Sequence, residues 1–98
     1  MERTEIVLEG RKGEIQLFSD DHKAGKMDIS VIGKKLTVYH TEVHPEYEGK
    51  GFAKILLERL VSYARENDLK ILPLCPYVHA QFKRHPEEYN DVWMKEEL

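Results

Sequence analysis

A single cysteine, Cys75, in 98 residues excludes an internal disulfide and points to a reducing compartment. No apolar run approaches the roughly 20 residues that cross a bilayer, and Met1-Glu2-Arg3-Thr4-Glu5 lacks the basic and apolar segments of a secretory leader. Basic excess is missing too. Fifteen lysines and arginines against 18 aspartates and glutamates leave a formal net charge of −3, whereas broad nucleic-acid binding shows as a strongly basic face. His40, His44, His79, His85 and Cys75 are enough atoms for a zinc site, yet no C-x-x-C or H-E-x-x-H spacing joins them. The expectation is therefore a cytoplasmic monomer with no metal, no nucleic-acid partner and no membrane partner. The length leaves room for one domain, residues 1–98, with a modest core and a single sheet for every task.

What is present reads as strands first. Ile6 to Leu8 is a short apolar run; Ile15, Leu17 and Phe18, then Met27, Ile29 and Val31, alternate with polar residues. Gly10-Arg11-Lys12-Gly13, the polar run from Ser19 to Gly25, and Gly33-Lys34-Lys35 separate them as turns. Leu36 to Val43 is a longer run. Simple alternation puts Leu36, Val38, His40 and Glu42 on one face, and bulk on both faces predicts a central strand.

Farther on, Ala53, Leu56, Leu57, Leu60, Val61 and Ala64 recur at helical spacing, with Asn67-Asp68 as the stop. Lys70 to Cys75 reads as a short buried strand, and strand-helix-strand implies a parallel pair. Pro76 suits the first turn of a helix over Tyr77 to Arg84, Pro86 a break before a last turn around Glu87 to Trp93, and the end from Lys95 to Leu98 is expected to fray. Trp93, with Tyr89 and Val92, is expected to close the core edge. The fold class is thus α+β: an antiparallel meander followed by one βαβ unit, with ligand expected where strands diverge at their carboxyl ends.

Between the long strand and the long helix lies His44-Pro45-Glu46-Tyr47-Glu48-Gly49-Lys50-Gly51-Phe52-Ala53. Two glycines let backbone come close to a phosphate, and the first turn of a helix leaves its amide hydrogens unpaired under the positive end of the helix dipole. That chemistry suits a diphosphate. Neither G-x-G-x-x-G nor the P-loop pattern is satisfied, because Lys54 occupies the third glycine position and no G-K-S/T follows. A glycine-rich turn holding no ligand is the bland alternative.

Glu46-Tyr47-Glu48-Gly49-Lys50-Gly51, between strand and helix, resembles the acyl-CoA-binding loop of the GNAT acetyltransferase superfamily, Gln/Arg-x-x-Gly-x-Gly/Ala. It departs at Glu46, whose side chain is expected to point outward. With His40-Thr41-Glu42-Val43, Pro73-Leu74-Cys75-Pro76-Tyr77-Val78 and His85-Pro86 in the same order, the chain looks like the small single-domain GNAT-like subfamily that carries a cysteine after its last core strand. The likeness spans roughly Gly13 to Trp93. It implies acetyl-CoA as co-substrate, held by Glu42 and Val43 along the pantetheine arm. The loop's share is the backbone amides of Glu48, Gly49, Lys50, Gly51, Phe52 and Ala53 on the diphosphate, with the Lys50 side chain adding charge.

Cys75 at a helix start is placed to accept an acetyl group. The subfamily likeness makes it the catalytic candidate, with His40 as the preferred base; a small buried hydrophobe is the alternative reading of the same residue. Glu42 shares the face of His40 in this reading, and His79 lies one helical turn from Cys75. A direct attack by the acceptor amine, with Tyr77 protonating the leaving thiolate, stays open beside the acetyl-cysteine route. Lys83-Arg84 is either a solvated helix end or a contact for the adenosine phosphate. The function expected is an acetyl-CoA-dependent acetyltransferase whose acceptor is a small amine or a protein. A non-catalytic acyl-CoA-binding or regulatory module is the alternative, and a protein-interaction domain that kept only the fold is the third.

Overall fold

Among the described residues five strands lie in sequence order in one sheet: three short turns each return the chain beside the strand it has just left, and a helical crossover brings in the fifth. The computed structural model describes residues 1–95. β1 (Glu2–Glu9), β2 (Lys12–Ser19), β3 (His22–Ile32) and β4 (Lys35–Val43) form the antiparallel meander. A single 3-10 turn (Pro45–Tyr47) and the glycine loop lead into α1 (Phe52–Glu66), after which β5 (Lys70–Pro73) pairs parallel with β4. α2 (Pro76–Arg84) and the short α3 (Pro86–Tyr89) complete the α+β domain.

α1 forms because its apolar residues fall on one stripe: Phe52, Leu56, Leu57, Leu60, Val61 and Ala64 are buried. Phe52 takes the place expected for Ala53, which is only partly buried. The stripe lies against β2, β3, β4 and β5 and meets Ile15, Leu17, Met27, Ile29, Leu36, Val38 and Ile71 in one core. Each fully buried aliphatic side chain of this kind stabilises the fold by about 1.5–3 kcal/mol. Arg65 in the last turn of α1 donates to both carboxylate oxygens of Asp91 (2.8 and 3.1 Å) and to the Glu88 carbonyl (2.9 Å), tying α3 to α1. Tyr89 and Val92 are buried, Phe82 stacks on Tyr89 at 4.8 Å, and Trp93 bridges in parallel to Ile71, so this segment closes the outer edge of β5.

Two local expectations are corrected. The run from Ser19 to Gly25 is not a loop: only Asp20 and Asp21 turn, both at positive φ (49° and 69°), and β3 begins at His22 with Ala24 fully buried. Short aspartates tolerate that left-handed pair, which makes a tight hairpin of a run that looks uniformly polar. The second correction concerns β4. Asp28 pairs with His40 and Ile29 with Val38, so Tyr39 is an extra residue, a β-bulge. The bulge inverts the alternation: Thr41 and Val43 follow Leu36 and Val38 on the α1 side, and His40 and Glu42 move to the opposite, polar face with Lys26 and Asp28. The fraying expected of the chain end lies, from Glu96 onward, outside the described residues.

Candidate active site

The sheet splits where β4 outruns β5. Parallel pairing ends at Val38 opposite Pro73, and Cys75 N–H to the Val38 carbonyl (2.9 Å) is the last backbone bond across the gap. Leu74 N–H turns back to the Leu72 carbonyl (3.2 Å) instead of extending the ladder, while β4 continues from Tyr39 to Val43, roughly 16 Å at about 3.3 Å per residue. His44 N–H donates to the Ala24 carbonyl (2.8 Å) beside the Val43–Gly25 pair. Alternation therefore commits the backbone of Glu42 to Lys26 and turns that of Thr41 and Val43 toward the opening. Of the two strand residues expected to offer backbone groups, only Val43 faces the gap in this way.

The glycine loop stands at the head of that opening. Gly49 (φ 83°) and Gly51 (φ 75°) are left-handed, a conformation that costs a residue with a Cβ about 1–2 kcal/mol. At neither position would a Cβ meet any atom within 4 Å, so both glycines border open space. Gly51 is the N-cap of the 15-residue α1 and has no side chain to cap the first turn, whose amides stay available. Tyr47 stacks on the buried Phe52 at 5.6 Å and anchors the turn; Lys50 Nζ lies 5.8 Å from the Tyr47 ring, and Glu46, Glu48 and Lys50 are exposed.

Cys75 is the N-cap of α2, as Pro76 at the next position requires, and is 2% exposed. Its Sγ lies 3.2 Å from Thr41 Oγ1. Thr41 is the residue that sequence reasoning missed, because only the bulge at Tyr39 brings it to this side. Tyr77, half-buried in the first turn of α2, has its hydroxyl pKa raised, chiefly by burial and further by nearby Cys75 and Glu58. It stays protonated at neutral pH and is fit to donate. His40 is not beside Cys75: neighbours on an extended strand point to opposite faces, and His40 Nε2 sits 4.0 Å from Glu42 Oε1 with both side chains at least half-exposed. His79 lies edge-on to Trp93 at 6.1 Å, and Lys83 and Arg84 end α2 in solvent. Among the described residues no group of three or more His, Cys, Asp or Glu side chains is set to hold a metal, and no helix is long and apolar enough to cross a membrane.

A meander whose sheet opens beside a glycine loop and a helix N-terminus is the GNAT fold, and solved structures of that class superpose on it. A GCN5-like protein from Staphylococcus aureus does so with a TM-score of 0.65 at 28% identity, covering 95% of this chain and 90% of that one. A ribosomal-protein-alanine N-acetyltransferase from Brucella melitensis (TM-score 0.66, 20% identity, 92% and 67% covered) shares the fold. So does the PaiA N-acetyltransferase of Thermoplasma acidophilum, solved in complex with coenzyme A (0.60, 16%, 80% and 50%). Residues 14–92 match the family described as GCN5-related N-acetyl-transferase, and the chain belongs to that family. Protein NATD1 of Gallus gallus and that of Mus musculus are each 36% identical to it over 66 residues, 66% of this chain; the match spans 60% of their length.

Proposed function

We propose that the chain is an acetyl-CoA-dependent acetyltransferase that passes the acetyl group through Cys75 to an amine. The observation that carries this reading is the opening between β4 and β5, with a left-handed glycine loop and uncapped helix amides at its head and a thiol at its side. Those residues fit acetyl-CoA: amides from Glu48 to Ala53 for the diphosphate, Lys50 for added charge, and the backbone of Thr41 and Val43 for an amide-bearing arm. Acetyl-CoA supplies the activated acetyl thioester. Cys75 Sγ bonds to the acetyl carbon as the carbon–sulfur bond to CoA breaks, and the thiol proton ends on the departing sulfur, with Tyr77 as the donor at hand. The acceptor nitrogen then bonds to the same carbon as the carbon–sulfur bond to Cys75 breaks, and the proton the amine sheds ends on the Cys75 sulfur; His40, on the opposite face of β4, takes no part in this step. Thr41 holds the thiol in place between turnovers.

Intact mass after incubation with acetyl-CoA tests this. A single acetyl adduct is expected in the wild type and none in Cys75→Ser; turnover without any adduct would leave direct attack by the amine as the route. One observation favours the second reading, a non-catalytic acyl-CoA-binding module: Cys75 is almost wholly buried and its polar neighbour is a hydroxyl in place of a base. That module predicts a CoA-dependent rise in the thermal midpoint with no release of free CoA from acetyl-CoA across a panel of amines and peptides.

A further inference from the structure

The two edges of the sheet are finished differently. Along β5 the chain folds back: Ile71 N–H donates to the Val92 carbonyl (2.6 Å) and Met94 N–H to the Ile71 carbonyl (2.8 Å). β1, at the other edge, pairs with β2 alone, over eight unbroken positions from Glu2↔Ser19 to Glu9↔Lys12. Asp20 N–H donates to the Met1 carbonyl (3.1 Å), which makes Glu2↔Ser19 a non-hydrogen-bonded pair. Alternation then turns the N–H and C=O groups of Glu2, Thr4, Ile6 and Leu8 outward, where no strand of the described residues meets them. Proteins normally blunt such an edge with proline, lysine, a bulge or brevity. β1 (ERTEIVLE) has no proline, lysine or bulge over its eight residues; its charges, Glu2, Arg3, Glu5 and Glu9, are of both signs, and Val7 is 46% and Leu8 41% exposed on its two faces.

We propose that this edge is a self-association surface on which a second copy of the chain lays its own β1 antiparallel, joining two five-stranded sheets into one. The strand is complementary to itself. A dyad through Ile6 sets Ile6 against Ile6, Thr4 against Leu8, Glu5 against Val7 and Arg3 against Glu9. The outward groups of Thr4, Ile6 and Leu8 then exchange about six hydrogen bonds, and the opposite charges of Arg3 and Glu9 meet at both ends. A dyad at Glu5 brings two carboxylates face to face, and one at Thr4 leaves Leu8 uncovered, so charge and apolar cover both select Ile6. β1 lies three strands away from β4, which keeps both openings clear of the joint.

Sedimentation velocity between about 10 µM and about 1 mM, with amide exchange followed by NMR, tests the proposal. The mass is expected to double over this range, with the Thr4, Ile6 and Leu8 amides gaining protection as concentration rises while Glu5 and Val7, already bonded to β2, do not change. Leu8→Pro removes one outward N–H and leaves the pairing with β2 intact; it is expected to raise the dimer Kd at least about tenfold. Arg3→Glu is expected to weaken association in the same sense, and Arg3→Glu with Glu9→Arg to restore it, a test that stands if Leu8→Pro does not fold. A monomer at about 1 mM, or a dimer whose Kd is unmoved by these variants, overturns the proposal.

Discussion

The two halves of β4 share one strand and have opposite characters. From Lys35 to Val38 it is bonded to β3 on one side and β5 on the other, and Leu36, Thr37 and Val38 are buried. From Tyr39 onward it is bonded to β3 alone, and His40 and Glu42 are exposed. The first half anchors the sheet; the second exposes backbone groups that a ligand can meet. The hinge between them is one bulged residue, Tyr39, whose hydroxyl hydrogen-bonds Ser30 Oγ at 2.8 Å and holds the irregularity against β3.

If the division is right, Leu36→Ala in the anchoring half costs about 2–5 kcal/mol of stability by denaturant melt, since Leu36 is fully buried and leaves a cavity. A loss below about 1 kcal/mol would break the comparison. His40→Gln in the exposed half is expected to keep stability within about 0.5 kcal/mol and to leave turnover with acetyl-CoA unchanged, because its side chain lies on the face away from Cys75; a fall of about 100-fold would return His40 to the chemistry. Gly51→Val, beside the same opening, forces a branched residue to φ 75° and is expected to cost about 1–2 kcal/mol. It should also abolish the CoA-dependent rise in the midpoint.

The smallest expected loss lies farthest from the gap. Arg65 holds the Asp91 carboxyl below its ordinary value, chiefly by hydrogen bonding and then, after opposing desolvation, by charge. A carboxyl with a lowered folded pKa binds more protons when unfolded, so this stability is present above the ordinary carboxylate range and is lost as pH falls through the folded value. Both partners are about half-exposed and screened by solvent, so Asp91→Asn is expected to cost less than about 1 kcal/mol at neutral pH and nothing at low pH. A pH-independent loss in urea melts would assign the effect to packing.

Much of the architecture was legible in the pattern. The stripe from Leu56 to Ala64 requires a helix packed on a sheet, strand-helix-strand requires a parallel pair, and Pro76 requires a helix to start just past Cys75. Gly49 and Gly51 marked a loop opening onto a helix, and the structure adds that both are left-handed. The candidate site was less legible. Tyr39 carries no glycine or proline to mark a bulge, so simple alternation assigned His40 and Glu42 to the wrong face and concealed Thr41. The paired aspartates Asp20-Asp21 hid a hairpin inside a polar run for a similar reason, since positive φ at aspartate leaves no trace in hydrophobic periodicity.

Periodicity and the placement of turn residues determined which segments are strand or helix and where the glycine loop lies, because those preferences act over a few neighbouring residues. Only the tertiary structure decided which side chains meet. The partner of Cys75 depends on a one-residue slip in the pairing of β3 with β4, and that slip is set by packing between strands distant along the chain.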